Sequence, residues 1–292
     1  MIKISQVFDT TRRLRELMDN LRYLADQNND SVIKIGKITF ATPLSITPIA
    51  AIINKKNLKH SYQGENVSYL KTIYFPEGVL EIDKIIPRKT YLPIIRLRLE
   101  NSQEKENITR QLGALHTKYL DLLKINVIAD QRFLELITNN TFGLLLGEMF
   151  DNIAEHSNAK NVYLFAQYWS KNNACEICIL DDGQGLFGSL KNAGRNVEND
   201  QDALRKILNT GLSAKTEFGS IKRATGIKNT RAVITNKEIN GEFFIMSGNA
   251  AFLQSAKRKT FFSLLNYSWN GTMITMRINR PISQFDMYDY IK

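Results

Sequence analysis

The chain has 292 residues, of which 43% are hydrophobic and 23% charged, and it carries a formal net charge of +10. That length supports two modest domains, each able to bury its own core, and the composition is that of a soluble globular protein. No apolar run approaches the roughly 18 to 20 residues of a membrane span, and the start, MIKISQVFDTTRRLREL, lacks the apolar middle of a signal peptide, so no membrane contact and a cytoplasmic location are expected.

The first segment, residues 5 to 28, sets Val7, Leu14, Leu17, Leu21 and Leu24 at helical spacing among polar residues, which predicts an amphipathic packing helix. SVIKIGKITF at 31 to 40 places Ile33 and Ile35, then Ile38 and Phe40 after a one-residue shift, between polar or small neighbours, as a half-buried strand does. ATPLSITPIAAIINKKN reads as a turn entering a short apolar helix, and further strands are expected at NVSYLKTIYF and YLPIIRLRL. The polar run NSQEKENITRQ at 101 to 111 is the best boundary between domains. The expected division is therefore 1–110, a small α/β unit, and 111–292, a second α/β unit.

In the second half the pattern predicts a helix across 132 to 157, strands near 161 to 169 and 174 to 181, a helix at 201 to 209, and a final sheet. Asn270-Gly271 is a strong two-residue turn signal, so SLLNYSWNGTMITMRI is expected to form a hairpin about it. Cys175 and Cys178 fall on one predicted strand, three apart and so on opposite faces, which fits reduced structural thiols better than a metal or redox pair.

Chemistry concentrates in two short segments. On the helix GLLLGEMFDNIAEHS, Leu146, Met149, Phe150 and Ile153 form an apolar stripe, while Glu148, Asn152, Glu155 and His156 form a polar one. After the strand ACEICIL comes DDGQG, with Asp181 at the strand end and Gly183 and Gly185 in the turn. A carboxylate there accepts a hydrogen bond from an exocyclic amine, and the glycines let a flat base lie against the backbone.

EMFDNIAEHS resembles the N box, and DDGQG the first glycine box, of the GHKL superfamily of gyrase, Hsp90, MutL, histidine kinases and anti-sigma-factor kinases. The resemblance implies a C-terminal two-layer α/β sandwich of the Bergerat type that binds ATP with magnesium. In it Asn152 would hold magnesium through its side-chain oxygen, Glu148 would orient or deprotonate the nucleophile, and Asp181 would take the adenine amino group. NGTMITMRI is similar to the family's late strand, where Thr272 would support Asp181. The second glycine box is altered: RATGIKNTRAVI keeps Gly226 but has Lys228 near the companion glycine's place, with Thr225 alongside. GLSAKTEFGSIKR would be a lid over the nucleotide, with Lys215 facing the phosphates. Residues 30 to 100 resemble, by pattern alone, a STAS-like regulatory or docking domain, so the fold class expected is α/β throughout.

Three functions follow from the resemblance. One is a regulatory switch of the anti-sigma-kinase kind, with ATP hydrolysis or Ser/Thr phosphotransfer to a protein partner. Another is a dimerising ATPase on nucleic acid, which the charge permits. However, Lys and Arg are spread along both halves, with Lys257 to Lys259 the densest run, and a solvated basic surface explains them as simply. The third is a histidine kinase with His116 as phosphoacceptor, since His60 lies in a polar loop and His156 within the N box. A pseudo-enzyme that binds ATP without turnover, and a homodimer, complete the expectations.

Overall fold

The computed structural model describes residues 2–4, 10–38, 41–63, 67–86, 88, 90–99, 110, 111, 113, 114, 117, 118, 121, 141–214, 226–283 and 289–290. It is an α/β protein; among the described residues it has a 3-stranded parallel sheet and a 7-stranded antiparallel sheet. The small sheet comprises β1 (Ile2–Ile4), β2 (Val32–Ile38) and β3 (Lys59–Tyr62), joined through α1 (Thr10–Ala25) and α2 (Pro43–Lys55) and followed by α3 (Val67–Thr72). Next come β4 (Tyr91–Arg98), α4 (Thr141–His156), β5 (Asn161–Trp169), β6 (Ala174–Asp181), α5 (Gly185–Asn192), α6 (Asp200–Thr210) and α7 (Gly226–Ile234). The chain then runs through β7 (Glu242–Gly248), β8 (Ala250–Ser255), β9 (Arg258–Ser263) and β10 (Trp269–Asn279), giving the large sheet the order β4-β5-β6-β10-β7-β8-β9.

Period-2 alternation decides what each face of the large sheet carries. Cys175, Ile177 and Ile179 of β6 join Val162 and Leu164 of β5 under α4 to α7, while Cys178 and Leu180 join Tyr163 and Phe165 under α1 and α2. Both faces are dry, so the central strands read as nearly unbroken apolar runs. The two cysteines are buried, free and on opposite faces.

Local signals set the helix limits. Thr42 caps α2, its hydroxyl accepting the amide of Ser45 at 3.3 Å, with Pro43 in the first turn, where it costs no hydrogen bond. Asn199 caps α6 by accepting the Asp202 amide at 2.9 Å, and Gly211, at φ 76°, ends it.

The structure corrects several sequence expectations. Residues 67 to 72 are helical, not extended: the Ile73 amide donates to the Tyr69 carbonyl at 3.1 Å and the Thr72 hydroxyl to that of Ser68 at 2.7 Å, which outweighs a strand-like composition. His60 lies on strand β3, not in a loop. Asn270-Gly271 is no hairpin turn but part of β10, at a register shift between Trp269 and Thr272. Finally, β4 pairs with β5 from Tyr91↔Gln167 to Arg98↔Asn161, so this strand belongs to the large sheet and not to a separate unit ending at 110. The polar run 101–109 and residues 132–140 of the long helix fall outside the described residues.

A buried ion pair ties the N-terminal helices to the large sheet. Arg13 of α1 donates to Glu176 of β6 at 2.7 Å, with side chains only 2% and 1% exposed. The other Glu176 oxygen accepts the Leu44 amide at 3.0 Å, in the first turn of α2, and Arg13 also reaches the Thr42 hydroxyl at 3.2 Å. Removing one partner strands the other charge in the core, which costs about 3–5 kcal/mol, whereas neutralising both is far milder. Arg13→Met should therefore lower unfolding free energy by about that amount in urea titration. Adding Glu176→Gln, which keeps an acceptor for the Leu44 amide, should restore most of it.

Candidate functional site

The alternation that buries Cys175, Ile177 and Ile179 beneath the helix layer puts Asp181 next in the series, at the strand's end on the same face. The same reasoning on β10 turns Thr272 and Ile274 to that side. There a cleft of about 880 Å³, counted to its open mouth, is lined by Glu148, Asn152, Asp181, Gly185, Gly226, Lys228 and Thr272, with an apolar floor that includes Met149, Ile153, Ile179, Leu186 and Ile274.

Asp181 is 4% exposed and among the described residues is held by backbone amides: its Oδ1 accepts the Gly183 amide at 2.9 Å and its Oδ2 the Thr272 amide at 3.2 Å. Among the described residues no cation is paired with it. Burial, partly offset by the two amides, pushes its pKa up to about 7, with neighbouring Asp182 adding to the rise. Thr272 thus supports Asp181 by its amide, while its hydroxyl faces Ser247 at 3.5 Å.

The glycines earn their places by close approach. A Cβ on Gly183 would stand 2.0 Å from the Ser157 carbonyl oxygen, and one on Gly271, at φ +104°, 2.1 Å from that of Asp181. Gly185, at φ +71°, opens α5, where the Leu186 amide donates to Ser247 Oγ at 2.9 Å. Gly226 opens α7, and a Cβ there would meet Glu148 Oε2 at 2.6 Å, so the Glu148 carboxylate lies against the first turn of that helix.

The expected apolar stripe of α4 is buried as read, with Leu146, Met149, Phe150 and Ile153 at 0%, 3%, 4% and 8% exposure. From its polar stripe, Glu148 and Asn152 enter the cleft while Glu155 is exposed. Gly183 stands in the turn beside Asp181 without lining the cleft itself. Lys215, Thr225 and His116 lie outside the described residues, as do the rest of 215–225 and the side chain of His156. The flanks of that segment, Ala214 and Gly226, both line the cleft. Lys257 to Lys259 are exposed at the β8–β9 turn, where Arg258 donates to the Thr11 hydroxyl at 2.6 Å.

Sequence reading missed Ser247 and Trp269. Ser247 Oγ donates to the Gly271 carbonyl at 3.0 Å, and the Trp269 indole donates to the Asp181 carbonyl at 3.2 Å. Both act from strands distant in sequence, and no local pattern marks them. Strand parity would have found Ile179 and Ile274. Among the described residues no group of three or more His, Cys, Asp or Glu is arranged for a metal ion, and no helix is long and apolar enough to cross a membrane.

The raised carboxyl of Asp181 binds its proton more tightly in the folded state, so its contribution to stability is complete below the unfolded value near 3.8 and is lost as pH rises through about 7. Asp181→Asn, which cannot ionise, should therefore gain stability relative to the parent between pH 5 and pH 8, as read by urea midpoints of both proteins at each pH. No protein-family model matches the chain, and no curated protein matches it.

Proposed function

We propose that the cleft binds Mg-ATP in the manner of the GHKL superfamily and that the protein works as an ATP-dependent regulatory switch acting on a protein partner. The observation that carries the reading is Asp181, a buried carboxylate held by two amides in the wall of a cleft with an apolar floor. An exocyclic amine is the donor such an acceptor lacks. The apolar floor of Ile179, Ile274, Met149 and Leu186 suits the faces of a purine ring.

Elsewhere in the lining the residues present fit a magnesium-bound triphosphate. Asn152 brings a neutral oxygen ligand, Lys228 a cation, and the first turn of α7 its free amides. Magnesium, when bound, takes up phosphate charge. Glu148 would orient the nucleophile and accept its proton as the bond to the γ-phosphorus forms and the bond to the leaving diphosphate breaks. Water as nucleophile makes the protein an ATPase; a partner's hydroxyl makes it a Ser/Thr kinase. The regulatory assignment is supported by the shared core: the strand that ends at Asp181 also carries Glu176, the anchor of the N-terminal helices.

Mg-ATP should raise the thermal midpoint, Asp181→Asn should abolish that rise, and Glu148→Ala should keep it while stopping phosphate release or transfer. Binding should also tighten from pH 6 to pH 8, as Asp181 ionises through about 7 and becomes the better acceptor. A folded protein whose melting point ignores Mg-ATP at every pH refutes the reading.

A further inference from the structure

A second cavity, of about 680 Å³ to its open mouth, lies behind the cleft on the N-terminal side of the sheet. The last turns of α1 and α2 form one wall, with Ala25, Ala51 and Ile52; Tyr163 of β5 and, from the β9–β10 connection and the start of β10, Tyr267 and Trp269 form the other. This lining is aromatic and apolar, which selects a flat, mostly apolar body.

Among the described residues its charged groups divide into those that make hydrogen bonds within the fold and one that makes none. The Lys56 ammonium donates to the carbonyls of Leu24, Ala25 and Gln27 at 3.1, 2.5 and 2.7 Å, neutralising the end of α1. Asp182 accepts the amides of Lys160 and Asn161 and the Asn161 side chain, each at 2.8 Å. Lys55 stands exposed at the mouth and leaves the lining with one surplus positive charge. Burial raises the Tyr267 phenol and keeps it protonated, so it too is a donor.

We propose that this cavity is a second small-molecule site, for a flat aromatic ligand bearing one negative charge, and that its occupancy is coupled to the cleft through a shared wall. Asp181 lines the cleft and Asp182 the cavity; Thr272 lines the cleft and Trp269 the cavity. The Trp269 indole holds the Asp181 carbonyl at 3.2 Å, and Gly271 is packed so closely that a Cβ would meet that oxygen at 2.1 Å. A wall with no slack transmits displacement instead of absorbing it. The coupling rests on the nucleotide reading above; the site itself does not.

Trp269 reports the site directly, because Trp169→Phe leaves it the only one of 2 tryptophans. In that background, titration with pyrene-1-sulfonate, a flat monoanion, should give saturable single-site energy transfer from Trp269. Lys55→Glu should weaken it at least tenfold, and Ala51→Phe should fill the cavity and abolish it; if the latter variant does not fold, the exposed Lys55 alone decides. A non-saturating signal, or one displaced by Mg-ATP and indifferent to Lys55→Glu, overturns the site. With the probe saturating, the affinity for Mg-ATP should shift by about fivefold or more, and the probe's own affinity should shift by the same factor when Mg-ATP saturates. Probe binding with unchanged ATP affinity overturns the coupling. Probe binding by a protein that takes no ATP at all refutes the nucleotide reading and upholds the cavity.

Discussion

A buried carboxylate with no cation paired to it among the described residues is the constraint around which this protein is arranged. Taking Asp181 out of water is unfavourable, and the fold offsets that only in part, with two backbone amides. Those amides come from the turn after β6 and from strand β10, which pass very close to one another and to the Ser157 carbonyl, and this is why Gly183 and Gly271 carry no side chain. The turn and the strand are pinned by groups from three directions: the Ser157 carbonyl after α4, Ser247 at the end of β7, and the Trp269 indole entering β10. An arrangement this convergent around a group that weakens the fold above neutral pH fits a place where function, not stability, sets the sequence.

The same strand carries a second buried carboxylate with the opposite solution. Five residues before Asp181, Glu176 points to the other face and meets Arg13. That pair makes the N-terminal helices part of the sheet's packing, as does the apolar core they share with Tyr163, Phe165, Cys178 and Leu180. One strand therefore couples two chemically distinct faces: rigid and ion-paired behind, amide-held and open in front. A ligand or partner that shifts the rear helices acts on the element that aims Asp181, and this is the physical content of a regulatory reading.

Much of this was legible in the chain because local pattern and burial agree. The stripe of α4, the alternation of β5 and β6, and the carboxylate-glycine turn each depend on residues adjacent in sequence. What escaped depends on long-range pairing. Asn270-Gly271 has the chemistry of a hairpin turn, yet Gly271 is there for the Asp181 carbonyl, some ninety positions away. The polar run after residue 100 has the composition of a linker, but β4, just before it, hydrogen-bonds to a strand beyond it, so composition misplaced the boundary. The helix at 67 to 72 hides in a β-rich string because its register is fixed by side-chain and backbone bonds four residues apart.

At the start of α7, Gly226 and Lys228 are held to different physical demands. At Gly226 the limit is steric, since the Glu148 carboxylate fills the space a side chain would need. At position 228 a lysine lines the cleft. In the proposed reading a backbone approach has been exchanged there for a mobile charge. An ammonium attracts phosphate at longer range than an amide but fixes its geometry less, because it is a point charge on a flexible stem. Affinity would then persist while positioning for transfer falls more heavily on Glu148 and Asn152, which share one face of α4 and so move together.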